Sequence, residues 1–194
     1  MCLHNDSKSS MTLGLNGHSN SAISWSPRVG DAYYAVKTEQ LLIGGKALNV
    51  SPKVINGKYG ALVDSGTTLI ILPNKAFSAL QTAITAVCSS YKLPGVCNAP
   101  KGQSIFDGQC FDMTPTDIQN FPTFGVKISG ISQPQTITSV KYLVHQGNQL
   151  CLGIVPSGDE DVTILGDTFM RGFYIVFDQA SSSVGFADQS QCPY

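Results

Sequence analysis

A chain of 194 residues with a formal net charge of −1 and 13% charged residues is long enough to bury one good core, and one domain is the default at this length. The charge balance excludes a strongly basic nucleic-acid binder and an acidic tail, and no apolar run is long enough to cross a membrane as a helix. Nineteen glycines and ten prolines, with few Lys and Glu, favour strands and turns over long helices, so the expected class is all-β.

The first thirty residues are rich in Ser, Asn and Gly, with short apolar groups such as Met11-Thr12-Leu13-Gly14-Leu15. They read as an extended strand and loops. From Tyr33 to Val50 two apolar runs meet at Gly44-Gly45, which predicts a hairpin. Gly60 to Val63 reads as a strand that ends in Asp64-Ser65-Gly66-Thr67, and LIILP after it as a strand buried on both faces. Asn74 is the expected N-cap of an amphipathic helix over 75–88, with Phe77, Leu80, Ile84 and Val87 on its apolar stripe. Residues 89–109 read as irregular. FPTFGVKISG, QTITSVKYLVHQ, LCLGIVP and VTILG then read as strands, and FYIVFDQASSSVGFA as two strands joined by a turn at 178–183.

The six cysteines, Cys2, Cys88, Cys97, Cys110, Cys151 and Cys192, form an even set without C-x-x-C. That pattern suits three disulfides and an oxidising compartment rather than a zinc site or a redox motif, and it leaves fifteen pairings open. The polar N-terminal stretch holds no secretory leader. The chain therefore reads as a piece of a longer precursor from a secreted, endomembrane or lysosomal-type compartment, with Met1 a start, an internal or an added residue. Asn5-Asp6-Ser7 and Asn49-Val50-Ser51 are formal glycosylation sequons, which are common by chance.

Taken alone, Asp64-Ser65-Gly66 is turn chemistry: Asp and Ser accept backbone hydrogen bonds and Gly takes positive φ. His4, His18 and His145 are too scattered for metal ligation, and no metal or cofactor is expected. Ser65 is not in a G-x-S-x-G elbow, which argues against a serine hydrolase. Asp167 and Asp178 flank strands and read as turn caps. Tyr33 and Tyr34 read either as groove residues or as core packing.

The flanks of Asp64 change its reading. LVDSGTT, the helix after it, NFPTF at 120–124 and TILGDTFMRGFYIVFDQASSSVGFA at 163–187 occur in one order, and together they resemble the C-terminal lobe of pepsin-like (A1 family) aspartic endopeptidases. The resemblance runs from about Cys2 to Cys192. It implies an acid-protease β-barrel lobe with one or two short helices, residues 1–194 forming that lobe alone and the N-terminal lobe absent.

Carried over by position, the resemblance makes Asp64 the catalytic aspartate. Ser65 matches the hydroxyl residue that hydrogen-bonds across the lobe interface. Gly66 matches the glycine that lets substrate backbone and water approach, Thr67 a hydrogen-bond donor to the outer carboxylate oxygen, and Thr68 a groove residue. Ile164-Leu165-Gly166 resembles the strand beneath the active-site loop. The family pattern pairs Cys110 with Cys151, and a memapsin-like pattern pairs Cys2 with Cys192, leaving Cys88 with Cys97.

The implied reaction is peptide hydrolysis at acidic pH by a water held between two aspartates that share one proton, with no acyl-enzyme. No second D-[ST]-G is present. The implied partners are therefore an N-terminal lobe, from the same precursor or a separate chain, and a peptide or protein substrate; the isolated half-site is expected to be inactive. A homodimer using Asp64 twice conflicts with the pseudo-symmetric interface of this family. The alternative function is a non-catalytic binding or inhibitor module of the same fold.

Overall fold

The computed structural model describes residues 1–4, 9–14 and 22–192; Leu15, His18 and the Asn5-Asp6-Ser7 sequon lie outside them. Fourteen strands named in chain order make up three larger sheets and one hairpin. With strands dominating over short helices, the fold is all-β, as the sequence predicts. Among the described residues, only one α-helix, α2 (Asn74–Thr85), exceeds two turns.

The first sheet has the order β1 (Ser24–Pro27), β14 (Ser183–Asp188), β13 (Phe173–Asp178), all antiparallel. Beyond the far edge of β13 lies the chain start, where Met1 accepts from Ile175 N–H at 2.9 Å and its ammonium donates back to Ile175 O at 2.6 Å. A disulfide between Cys2 and Cys192, both buried, joins the two chain ends there and packs on Tyr174 and Ala187.

The second sheet is a hairpin unit. Strands β3 (Thr38–Ile43) and β4 (Lys46–Ala47) meet at Gly44 and Gly45, whose φ of +56° and +76° are the paired positive values that a two-residue hairpin turn requires. β7 (Phe124–Ile128) adds to β3, and β8 (Gln135–Ile137) to β7. Leu41, Ile43, Phe124, Val126 and Ile128 from this sheet share one apolar cluster with the apolar face of α2, formed by Ala76, Phe77, Leu80 and Ile84.

The third sheet carries the site. Its order is β11 (Ile154–Pro156), β6 (Ile70–Leu72), β12 (Thr163–Leu165), β5 (Ala61–Val63), β2 (Ala35–Val36).

Several expectations needed correction. The helix cap is Pro73 rather than Asn74; the Asn74 amide instead donates to the Gly158 carbonyl at 2.7 Å, because a side chain already inside the first turn can reach a neighbouring loop. Val87 falls in a 3₁₀ turn, Ala86–Ser89, that follows α2. QTITSVKYLVHQ is not one strand: α4 (Ser139–Tyr142) separates β8 from β9 (Leu143–Gln146). Tyr142 decides that break, since its fully buried ring sends its hydroxyl to the Pro122 carbonyl at 2.5 Å.

LCLGIVP breaks at Gly153, where an added Cβ would lie 2.7 Å from the Tyr142 carbonyl oxygen. Its halves, β10 (Gln149–Leu152) and β11, enter different sheets, β10 pairing with β9 and, at Leu150, with Phe111.

Two helices have end signals rather than an apolar stripe. Ser51 caps α1 (Pro52–Asn56) by accepting from Val54 N–H, and Thr114 with Asp117 forms a reciprocal capping box on α3 (Pro115–Asn120); each has proline in its first turn. The remaining disulfides join Cys88 to Cys97 and Cys110 to Cys151, and no cysteine is free. Three bridges indicate maturation under oxidising conditions. Among the described residues no helix is long and apolar enough to cross a membrane.

Candidate active site

Strands β5 and β6 are consecutive in sequence but not adjacent in the sheet. β12 lies between them, parallel to β5 with Ile164 opposite Leu62, and antiparallel to β6 with Leu165 opposite Ile70. The connection from Val63 to Ile70 must therefore arch over the end of β12. Asp64 stands at the start of that arch.

The arch is pinned from beneath. Asp64 N–H donates to Leu165 O at 3.2 Å, and the Thr67 carbonyl accepts from Asp167 N–H at 2.8 Å. Thr68 O accepts from both the amide and the hydroxyl of Thr168, at 2.9 and 2.8 Å. Passage beneath the loop leaves no room for a side chain: a Cβ on Gly166 would overlap the carbonyl oxygens of Thr67 and Leu69.

Within the arch, Gly66 N–H donates to Asp64 Oδ1 at 2.9 Å and the Thr67 hydroxyl to Oδ2 at 2.7 Å. One bond on each oxygen fixes the plane of the carboxyl group. Asp64 is half-buried, while Ser65, Gly66 and Thr68 are exposed. A Cβ on Gly66 would sit 3.2 Å from Asp64 Oδ1, so any side chain there would crowd the carboxylate on its open side.

Asp178 caps its turn, accepting from Ser181 N–H at 3.0 Å. Asp167 does not cap: Gly166 holds the N-cap position of α5 (Asp167–Met170), and Asp167 Oδ1 is buried without a hydrogen-bond partner. Loss of hydration pushes the Asp167 carboxyl above the usual carboxylate range; Arg171 opposes that shift, and the nearby Asp64 charge adds to it. Turn chemistry hid this residue in the sequence, because burial of one carboxylate oxygen follows from the threading of β12.

His145 lies exposed on β9 and His4 near the chain start. No group of three metal-ligating side chains occurs among the described residues.

Tyr34 is half-buried and donates its hydroxyl to Gln179 at 2.9 Å, whereas Tyr33 is exposed. Tyr33 meets Tyr59 edge to face at 5.8 Å. Both line an open cavity of about 1030 Å³ whose lining also includes Leu62 and Ile164. Leu62 lies on β5 two residues before Asp64, which is not itself among the lining residues.

The amino-acid sequence has relatives among known proteins. The chain is 31% identical to gastricsin of Cavia porcellus over 170 residues, which is 85% of this chain and 37% of the relative. Human gastricsin is 29% identical, with 85% of this chain and 38% of the relative covered. An aspartyl protease family protein of Arabidopsis thaliana is 29% identical over 159 residues, 81% of this chain and 32% of the relative. The chain thus spans less than two fifths of the length of these curated relatives. Residues 3–189 match the family described as eukaryotic aspartyl protease, and the chain belongs to that family.

Proposed function

We propose that this chain is the C-terminal lobe of an aspartic endopeptidase and supplies one of its two catalytic aspartates, Asp64. The observation that carries this reading is the Asp64 carboxyl itself, held by one hydrogen bond on each oxygen on an arch pinned to β12. The two bonds to the carboxyl are local turn contacts; the pinning of the arch to β12 is what adds the fixed position a carboxylate needs to orient a water.

The second carboxylate would come from an N-terminal lobe, continuous with this chain in a precursor or held as a separate chain. Two carboxylates at hydrogen-bonding distance cannot both ionise, so the pair holds one proton. The ionised member takes a proton from the bound water as the water oxygen adds to the scissile carbonyl carbon and the carbonyl oxygen takes the proton of the other member; the resulting diol then loses its C–N bond as the nitrogen takes a proton back from the pair, releasing amine and acid. The exposed hydroxyl of Ser65 supports a bond across the lobe interface, and exposed Thr68 a place in the peptide groove. The three disulfides fit a secreted or lysosomal-type compartment.

The test is Asp64→Asn in the enzyme assembled with its N-terminal lobe, isolated from the native source. Expected is a loss of peptide cleavage of at least about a hundredfold with peptide binding retained. Undiminished cleavage would remove Asp64 from the mechanism. A native mass equal to this chain alone would remove the partner lobe.

A further inference from the structure

On the side facing β12 the Asp64 arch is held by backbone bonds to Leu165, Asp167 and Thr168. On the other side stands β2, the two-residue end strand of its sheet, with Ala35 opposite Leu62. The pairing goes one step further, because Val63 N–H donates to Tyr34 O at 2.8 Å. Tyr34 thus bounds, through its carbonyl, the residue that immediately precedes Asp64.

The Tyr34 side chain is held from three directions. Its hydroxyl donates to Gln179 Oε1 at 2.9 Å, the Arg28 guanidinium carbon lies 5.4 Å from its ring centroid, and Phe177 meets it edge to face at 4.8 Å. Arg28 closes the group: its Nη1 donates to the same Gln179 Oε1 at 3.0 Å, and its backbone N–H to Ser182 O at 2.8 Å. Gln179 and Ser182 belong to the turn between β13 and β14, so the group joins that turn to the segment leading into β2.

Arg28 is costly to bury. Its side chain is 8% exposed, whereas Asp31, its ion-pair partner at 3.4 Å, is fully exposed, and Arg28 Nε is buried without a hydrogen-bond partner. An apolar side chain of similar length would fill the space with a smaller desolvation cost. What it would lack is a directed donor: Arg28 and the Tyr34 hydroxyl meet on one oxygen of Gln179, and such a shared acceptor fixes both donors in one arrangement.

We propose that Arg28, Tyr34 and Gln179 are positioning residues, a clamp on the Tyr34 carbonyl that sets, through Val63, where the Asp64 carboxyl stands. This rests on Asp64 as a catalytic carboxylate and adds what holds it on the side away from β12. A displacement of about 1 Å at a reacting group costs up to about a hundredfold in rate, so a looser clamp lowers kcat and leaves KM.

The test compares Tyr34→Phe, Gln179→Leu and Arg28→Met in the enzyme assembled with its N-terminal lobe. Amide hydrogen exchange at Val63 should be about fivefold faster in each variant, the weight of about one hydrogen bond. The Asp64 amide, held by Leu165 O, should keep its rate. Peptide cleavage should show kcat lower by about tenfold with KM within about twofold. Tyr34→Phe/Gln179→Leu should lose no more than either change alone, since both remove the same bond. Arg28→Met should lower kcat without lowering the thermal midpoint, a combination that a merely structural role does not produce.

Unchanged kcat in these variants overturns the clamp whether or not the Val63 amide or the midpoint moves. A lower kcat with an unchanged Val63 amide overturns the route through the Tyr34 carbonyl. Should Gln179→Leu or Arg28→Met fail to assemble, Tyr34→Phe, the loss of one hydroxyl, decides. Cleavage that survives Asp64→Asn removes the catalytic reading and the clamp with it, whereas cleavage abolished by Asp64→Asn but untouched by the three variants removes the clamp alone.

Discussion

Gly166→Ala is the substitution that the threaded sheet makes most costly. Its added methyl would overlap two backbone carbonyl oxygens and lie 3.0 Å from the Thr67 carbonyl carbon. Backbone atoms on both sides leave no rotamer in which to escape. Relief requires separating the arch from β12, which stretches the bonds from Asp167 N–H to Thr67 O and from Thr168 to Thr68 O.

Overpacking of this kind costs about 1 to 3 kcal/mol, and each backbone bond lost adds about 1 kcal/mol. The total is about 3 to 5 kcal/mol, a large fraction of the stability of an ordinary domain. Urea unfolding followed by far-UV circular dichroism, with the slope m held common, reads this as a shift in midpoint. A loss below about 1 kcal/mol would refute the reasoning, because it would mean that β12 does not run against the arch.

The disulfides should rank by the loop each closes. Sequence separations of 190, 41 and 9 correspond, in the chain-entropy picture, to about 5, 4 and 3 kcal/mol; paired Cys→Ala variants compared in urea check the order. Asp167→Asn should stabilise at pH 7. The folded Asp167 pKa is raised above its unfolded value, so ionising it costs stability as pH rises through that window. The gain should disappear below the unfolded value of about 3.8, as thermal midpoints at pH 3 and pH 7 would show. Thr114→Ala removes the capping box on α3, in which the Thr114 hydroxyl both accepts from Asp117 N–H and donates to its carboxylate. A loss of about 1 kcal/mol is expected at neutral pH. Because that hydroxyl also lowers the Asp117 pKa, the wild-type advantage should shrink as acid protonates the carboxyl.

Local signals in the sequence determined the elements whose cause is local. The Gly44-Gly45 turn needs two positive φ values that only glycine adopts freely, and α2 announces itself by Phe77, Leu80 and Ile84 at helical spacing. The helices after Ser51 and Thr114 are too short to show an apolar period, so the sequence reading passes over them. What Asp64 faces was not local. The Gly66 and Thr67 bonds to its carboxyl are local turn contacts, whereas only the insertion of β12 between β5 and β6 lifts the arch and pins it from beneath.

The breaks at Tyr142 and Gly153 have the same character, since alternation along QTITSVKYLVHQ and LCLGIVP cannot reveal which sheet each half will join. Burial of Asp167 Oδ1 depends on contacts between segments far apart in the chain. Such contacts are set by closing long loops around a shared core, and no short window of residues encodes that closure.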